Sequence, residues 1–493
     1  MEFITALGDN LILRSSQNNM PSPVSVTNDS RLAGKNTVFT AIRGAAADGH
    51  NFIPDALKAG SRIIVCEQIP AKFAENKEIL FLQVKNSYRA YAELAEFFAG
   101  YPGRKVRLAG ITGTNGKTTT AYLLHALITA DNKKCGLVST VEYDTGSGKK
   151  ITADRTTPDS FTLQNLFSDM LKNGCGYAVM EVSSHALAQH RTGSAKFAAA
   201  LFTNLSGDHL DYHKTMDEYF EAKKRLFTTS LDETGIGIIN TDDAYGERLY
   251  NELKSRKNIY SFGMEKSADF AIQNMNLNIS GASFELSIPE QNNGIKINSS
   301  LCGKFNVYNA AAAAAAAFML GVPPETISRA LKNAPQVPGR MEKCLDSPLV
   351  FVDYAHTDDA LENVLSAVSG ILEGRPLTVI FGCGGDRDRS KRPRMGKAAA
   401  NFADRIIVTS DNPRTENPES IIQDIIAGIP DSANFAVFPD RKYAIEETLR
   451  NSQPDDVIVI AGKGHETYQE INGTRIYFDD RKTVRKLATE IQD

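Results

Sequence analysis

The sequence predicts an α/β protein built as three successive domains, over residues 1–101, 102–338 and 339–493. Three observations carry this. At 493 residues the chain is longer than one hydrophobic core supports. Short apolar runs alternate with helical patterns, as they do where crossover helices join parallel strands. A Gly/Thr-rich stretch, G-I-T-G-T-N-G-K-T-T-T from Gly110 to Thr120, sits where an apolar run gives way to a helix, which makes the central domain P-loop-type.

The composition excludes several classes. Apolar residues make up 42%, as in ordinary globular proteins, and the formal net charge is −4. There is no basic surplus for a general nucleic-acid or membrane-surface role, so anionic ligands must be met by local charge. The start, M-E-F-I-T-A-L-G-D-N, lacks the basic and apolar regions of a signal peptide, and no apolar run reaches spanning length. A cytoplasmic protein is expected. Six scattered cysteines with no C-x-x-C pair fit buried free thiols.

In the first domain, Thr37 to Ile42, Arg62 to Cys66 and Ile79 to Val84 read as strands, and Phe52 to Ala59 and Tyr88 to Ala99 as helices. The turns D-S-R (Asp29 to Arg31) and R-G-A-A-A-D-G-H (Arg43 to His50) either bind a ligand or connect elements, the connector reading being favoured. G-Y-P-G after Ala99 ends the domain.

The central domain contributes apolar strands at Val106 to Ile111, Tyr177 to Met180, Phe197 to Phe202 and Ile236 to Ile239. Their carboxyl ends are where ligands gather. Between Gly110 and Thr120 the glycines fall at Gly110, Gly113 and Gly116, out of register with G-x4-G-K-[ST]; Ile111 stands where that pattern has its first glycine. The chemistry survives the shift. Glycines let backbone N–H groups face a polyphosphate, the helix N-terminus and Lys117 supply positive charge, and Thr118 offers a hydroxyl to Mg²⁺. Glu181, at a strand tip in the same sheet, supplies the hard oxygen that such a metal requires. The segment N-L-S-G-D-H-L-D-Y-H (Asn204 to His213) is dense in Asp and His, and His209 is a candidate ligand. Lys223 and Lys224 lie on an amphipathic helix, where lysines are ordinarily solvated. Asp269 to Ser300 reads as hairpins, and Ala310 to Ala317 as a structural helix.

The third domain places strands near Leu349 to Val352, Leu377 to Phe381, Arg405 to Val408, Phe435 to Phe438 and Val457 to Ala461, a Rossmann-like pattern. D-Y-A-H (Asp353 to His356), G-D-R-D-R-S-K-R-P-R (Gly385 to Arg394), S-D-N-P-R (Ser410 to Arg414) and G-K-G-H-E (Gly462 to Glu466) each follow a strand and so share one rim. Arginines mixed with carboxylates there suit a zwitterionic ligand.

Taken together, G-T-N-G-K-T-T (Gly113 to Thr119), R-T-T-P-D (Arg155 to Asp159), E-V-S-S-H (Glu181 to His185), D-H-L-D-Y-H (Asp208 to His213), G-K-F-N-x-x-N (Gly303 to Asn309), G-R-M-E (Gly339 to Glu342) and D-N-P-R (Asp411 to Arg414) resemble the bacterial Mur ligases. The likeness runs from Asp29 to Glu466 and is strongest to the branch that adds the third amino acid. It implies an ATP-dependent amide ligase of peptidoglycan precursor synthesis, with ATP and Mg²⁺ required. In that reaction the D-glutamyl carboxylate of UDP-MurNAc-L-Ala-D-Glu is phosphorylated and an amino acid attacks the acyl phosphate. The expected partners are these small molecules, with no nucleic acid, no membrane insertion and a monomeric enzyme.

By position, the resemblance implies that Gly113, Thr114, Asn115, Gly116, Lys117, Thr118 and Thr119 hold phosphates, with Asn306, Asn309, Arg340, Asp353 and His356 completing the ATP site. Lys117, Glu181, His209 and Lys223 would be catalytic, and Thr118, Glu181, His209 and Lys223 would be metal ligands, Lys223 as a carbamate. Asn28, Ser30, Ala45, Ala46 and Ala47 align with the uridine-nucleotide end of the substrate; Thr156, Thr157, Ser183, Gln189 and Arg191 align with its muramoyl-dipeptide end. The first domain would then be the UDP-substrate-binding one.

Arg387, Asp411, Asn412, Pro413, Arg414, Gly462 and Glu466 match the amino-acid site. Similar enzymes that add meso-diaminopimelate carry D-N-P-R there, and lysine-adding relatives lack the arginine. A guanidinium is the natural partner for the second carboxylate of diaminopimelate. The alternatives are a lysine-adding ligase of the same family, a folylpolyglutamate-synthase-like ligase, or a nucleotide-dependent switch. One departure stands out: Asp358 occupies the position of a family proline, with little expected consequence because either residue suits a first helical turn.

Overall fold

In a computed structural model, the protein is described over residues 2–15, 22–44 and 47–492. Two compact units account for it, one of residues 1–262 with 312–323 and one of residues 263–311 with 324–493.

The first unit holds two sheets. A five-stranded sheet runs in the order Leu11–Arg14, Leu80–Val84, Ile63–Cys66, Thr37–Thr40, Ser25–Thr27. Its first pair is antiparallel and the others are parallel. The helix Ser87–Ala99 packs on it through Ala90, Leu94 and Ala95. Asn86 caps that helix by accepting the Arg89 N–H, and Gly100, left-handed at φ 76°, ends it. Buried Glu96 accepts both the backbone N–H and the hydroxyl of Ser194, each at 2.7 Å, tying this helix to the next sheet's connections.

Arg107–Thr112 lies centrally in that next sheet, between Phe197–Phe202 and Tyr177–Glu181 and parallel to both. Leu231–Asn240 and Ile259–Gly263 extend it on one side, and Cys135–Val138 continues it on the other. The short antiparallel strands Glu142–Asp144 and Lys150–Thr152 follow beyond Cys135–Val138. Strands covered on both faces read as continuous apolar runs, which is why Arg107–Thr112, Tyr177–Glu181, Phe197–Phe202 and the end of Leu231–Asn240 were legible, whereas short Cys135–Val138, although buried, and Ile259–Gly263 were not. Lys150–Thr152, with one isoleucine between polar residues, is exposed and carried no such signal.

The second unit contains an antiparallel meander, Phe270–Asn278, Gly281–Leu286 and Ile295–Ser299, and a six-stranded sheet. The latter runs Glu342–Asp346, Leu349–Asp353, Val457–Ala461, Leu377–Phe381, Arg405–Val408, Phe435–Val437. The five expected strands are parallel, and an antiparallel edge strand, Glu342–Asp346, joins them. The hairpin Tyr468–Ile471 and Thr474–Tyr477 lies outside this sheet.

Ala310 to Ala317 sit in the helix Lys304–Met319, each at most 1% exposed. A helix buried all round needs small side chains for close approach, so the alanines are structural. All six cysteines are buried free thiols. Among the described residues, no helix is long and apolar enough to cross a membrane.

Candidate active site

The Gly-rich loop joins the strand Arg107–Thr112 to the helix Lys117–Ala130. Gly113 has φ 148° and Gly116 φ 84°, conformations that disfavour any side chain. A Cβ on Gly113 would lie 1.9 Å from Thr203 Oγ1, so the neighbouring strand end also demands glycine. That strand end holds the loop in place. The Thr114 N–H donates to the Asn204 carbonyl at 2.9 Å, the Asn115 N–H to Asn204 Oδ1 at 2.9 Å, and the Thr203 hydroxyl to the Asn115 carbonyl at 2.6 Å.

Two lysines converge on this loop. Lys117 donates to the carbonyls of Gly113 (3.0 Å) and Thr114 (2.7 Å), and Lys223 donates to the same Gly113 carbonyl at 2.7 Å. Lys223 lies on the helix Met216–Arg225 and is 1% exposed, against the ordinary expectation for a helical lysine. Burial, then the Lys117 charge, holds its ammonium well below the usual lysine value, with Asp208 acting in the opposite sense.

Glu181 ends the strand Tyr177–Glu181, paired in register with Ile111, so its carboxylate reaches the helix that the loop begins. The Thr118 hydroxyl donates to Glu181 Oε2 at 3.1 Å, and the Thr140 N–H to Oε1 at 2.7 Å. Both Thr118 and Glu181 are buried. The Thr140 hydroxyl lies 3.1 Å from Glu181 Oε2 and 3.0 Å from Thr156 Oγ1. Thr157 donates to the Glu181 carbonyl at 2.9 Å and accepts the Ser183 N–H at 3.1 Å. Arg191 donates to the Thr157 carbonyl and, through two nitrogens, to Gln189. Thr156, Thr157, Ser183, Gln189 and Arg191 therefore form one network that continues from Glu181.

His209 belongs to a cluster of rings. It adopts φ 55°, its Nδ1 is 3.5 Å from Asp208, and its ring meets His185 edge-on at 4.9 Å. His185 also contacts Tyr212 and His213, and burial, with the adjoining imidazoles next, brings it down to about 4. Among the described residues, no group of three or more His, Cys, Asp or Glu side chains is arranged to hold a metal. The expected donors are thus only partly assembled: Thr118 and Glu181 are together, Lys223 bonds backbone, and His209 joins a histidine cluster.

In the first sheet's turns, Asn28 and Ala47 are exposed, and Ser30 opens a short 3₁₀ turn capped by Asp29. Ala45 and Ala46 lie outside the described residues.

The second unit gathers the four rim motifs. Asp353 accepts the backbone N–H groups of Met341 (2.7 Å) and Ala355 (2.8 Å), and burial raises its carboxyl despite Arg340. Arg340 lies over the Tyr354 ring at 4.7 Å, and the His356 ring approaches the same tyrosine at 4.6 Å. Asn306 and Asn309 are buried at the start of the helix Lys304–Met319, where Asn309 donates to Asn306 Oδ1 at 3.2 Å. Asp358 opens the helix Asp358–Ser369 behind its cap Thr357 and pairs with Arg394 at 2.6 Å, a contact that proline could not make.

Arg414 has φ 53° and is held by the neighbouring hairpin: its N–H donates to the Glu470 carbonyl at 3.0 Å and its carbonyl accepts the Asn472 N–H at 2.7 Å. Its guanidinium donates to the Gly385 carbonyl at 2.6 Å. Asn412 donates to Glu466 Oε2 at 2.9 Å, while Asp411 accepts the Asn412 N–H at 2.7 Å. Gly462, at φ 113°, keeps a Cβ from lying 2.7 Å from Asp411 Oδ2. Beneath these loops buried Arg441 pairs with Asp480 and donates to the Ala461 carbonyl at 2.9 Å. Pro413 lies in the same loop, and Arg387 is exposed. Asp411, Asn412, Arg414, Gly462 and Glu466 are thus brought together.

Three contributors escaped the sequence reading. Thr140 follows Cys135–Val138, a strand that reading did not identify. Asn204 lay in a segment noted for its acids and histidines. Lys463 sat unremarked inside G-K-G-H-E.

Three family models match the chain in succession. The Mur ligase family catalytic-domain model matches residues 24–99, the Mur ligase middle domain 111–317, and the Mur ligase glutamate ligase domain 339–464. A Clostridium botulinum protein named UDP-N-acetylmuramoyl-L-alanyl-D-glutamate–2,6-diaminopimelate ligase is 40% identical, covering 98% of this chain and 99% of its own. A Trichormus variabilis protein of the same name is 42% identical, covering 94% of each chain. A solved structure bearing that name superposes with a TM-score of 0.68 at 34% identity, covering 96% of each chain. From its loop, its rim and this likeness along nearly its whole length, the chain belongs to the Mur ligase family.

Proposed function

We propose that the protein is an ATP-dependent amide ligase that joins meso-diaminopimelate to UDP-MurNAc-L-Ala-D-Glu through an acyl phosphate, in peptidoglycan precursor synthesis. The observation that carries the choice of amino acid is Arg414, held in the D-N-P-R loop by two backbone hydrogen bonds from the hairpin. Relatives named for this reaction at 40–42% identity support it.

Gly113 to Thr119 cradle the ATP phosphates, with Lys117 drawn from its two carbonyl acceptors to the transferring group. Asn306, Asn309, Arg340, Asp353 and His356 serve the rest of the nucleotide. The buried Thr118 hydroxyl and Glu181 carboxylate form a hard-oxygen pair that suits Mg²⁺. When bound, Mg²⁺ offsets charge on the phosphates. Lys223, kept toward its neutral form, is disposed to take up CO₂ as a carbamate and so exchange a cation for an anionic ligand. His209 completes the set.

Asn28, Ser30 and Ala45 to Ala47 meet the uridine nucleotide. Thr156, Thr157, Ser183, Gln189 and Arg191 hold the dipeptide, and their continuity with Glu181 through Thr140 brings the acceptor carboxylate beside the phosphate loop. Phosphorylation there creates the leaving group; attack by the amine forms C–N, breaks C–O and releases phosphate. Arg387, Asp411, Asn412, Pro413, Arg414, Gly462 and Glu466 orient the incoming amino acid. The enzyme acts as a cytoplasmic monomer, with domains 1–101, 102–338 and 339–493. Incubation with ATP, Mg²⁺, UDP-MurNAc-L-Ala-D-Glu and meso-diaminopimelate tests the reading. A product whose mass gains one diaminopimelate residue supports it, and ADP release independent of any amino acid overturns it.

A further inference from the structure

Lys463 is the only lysine among the described residues with no exposed surface, and its ammonium is spent on the rim. Its Nζ donates to Asn412 Oδ1 at 3.0 Å and Glu466 Oε2 at 3.1 Å. A buried ammonium is costly unless paired, so these contacts are what permit it there. They also settle geometry that would otherwise be free. Asn412 Oδ1 accepts from Lys463 and from the Glu470 N–H at 3.0 Å, which fixes the amide so that Nδ2 faces Glu466. Glu466 Oε2 thereby receives two donors, while Oε1 accepts from none among the described residues.

Asp411 shows the same division. Its Oδ1 takes the Asn412 N–H, and its Oδ2 accepts no hydrogen bond among the described residues. Two carboxylate oxygens on adjacent loops are therefore left for an external cation, and the loop carbonyls and Arg441 beneath them are already committed.

We propose that Lys463 is a positioning residue for amino-acid recognition: it clamps Asn412 and one oxygen of Glu466, leaving Glu466 Oε1 and Asp411 Oδ2 to receive the substrate's ammonium. This rests on the reading of the rim as the diaminopimelate site. Lys463 acts through its neighbours, touching no reacting atom, so its loss reports on the amino acid and not on ATP.

The test is steady-state kinetics on the full-length protein. Lys463→Met is expected to raise the KM for meso-diaminopimelate by about tenfold or more, with the KM for ATP changed by less than about twofold. Glu466→Gln introduced into Lys463→Met is expected to add far less than it costs alone, because both disturb one network. If Lys463→Met does not accumulate folded, Lys463→Gln, which keeps one donor, is measured in the same cycle with the same expectation at smaller size. Equal rises in both KM values, or full additivity with Glu466→Gln, would overturn the role. Wild-type protein that ignores meso-diaminopimelate defeats the underlying site reading; wild-type turnover with an unchanged KM in the variant defeats only the positioning role.

Discussion

Lys117 and Lys223 share one acceptor: both ammonium groups donate to the Gly113 carbonyl, at 3.0 and 2.7 Å. Burial first, and the charge of Lys117 on the same dipole second, displace the Lys223 ammonium toward neutrality. Lys223→Ala is expected to lower kcat by about 10²-fold or more, with partial rescue by short carboxylic acids. Full activity in that variant would rule out the carbamate.

The same displacement predicts a pH dependence of stability. A lysine whose folded pKa lies below its unfolded value binds fewer protons when folded, so its contribution becomes less favourable as pH falls from 10.5 toward the folded value. Lys223→Met is therefore expected to gain stability relative to wild type as pH is lowered through that window. Denaturant midpoints of both proteins across it provide the check; a constant difference contradicts it.

Glu181→Gln keeps the shape of the Thr118 and Thr140 contacts but removes the charge. It is expected to raise the Mg²⁺ requirement and lower kcat by about 10²-fold or more, with a melting temperature close to wild type. Unchanged Mg²⁺ dependence would remove Glu181 from the metal site.

Gly113→Ala should fail for a steric reason. The added methyl would meet Thr203 Oγ1 at 1.9 Å in a backbone conformation alanine rarely adopts. A loss of about 1–3 kcal/mol of stability is expected, together with loss of nucleotide binding. Calorimetry on the variant with and without ADP reads both.

Restoring the family proline by Asp358→Pro removes the Arg394 pair. Thr357 still caps the helix and proline suits its first turn, so stability is expected to change by no more than about 1 kcal/mol and turnover to stay close to wild type. A large loss of ATP affinity would show that the pair shapes the nucleotide site.

Much of this was legible because buried parallel strands write themselves as apolar runs, and the loops at their ends carry the chemistry. Glu181 and the four rim motifs were found in that way. Residue type alone gave Lys223 the solvated expectation ordinary for a helical lysine, and only the family resemblance gave it a role, although Met216, Tyr219, Phe220 and Phe227 place position 223 on the helix's apolar stripe. The hairpin that supports Arg414 was also missed, yet Asn472-Gly473 between Ile471 and Thr474 is a two-residue turn signal with both φ angles positive. Its strands are half-exposed or exposed, so no burial pattern reinforced it. Hydrogen bonds such as Thr140 to Glu181 and Lys463 to Asn412 join segments distant in sequence and leave no local trace.

The central claim is that Arg414 selects an amino acid with a second carboxylate. The most direct measurement is ADP release with ATP, Mg²⁺ and UDP-MurNAc-L-Ala-D-Glu, comparing kcat/KM for meso-diaminopimelate and L-lysine in wild type and Arg414→Ala. Wild type is expected to prefer meso-diaminopimelate. The variant should lose about 2–5 kcal/mol of that preference with ATP kinetics nearly intact. Wild-type preference for L-lysine, or a variant that keeps the preference, would contradict it.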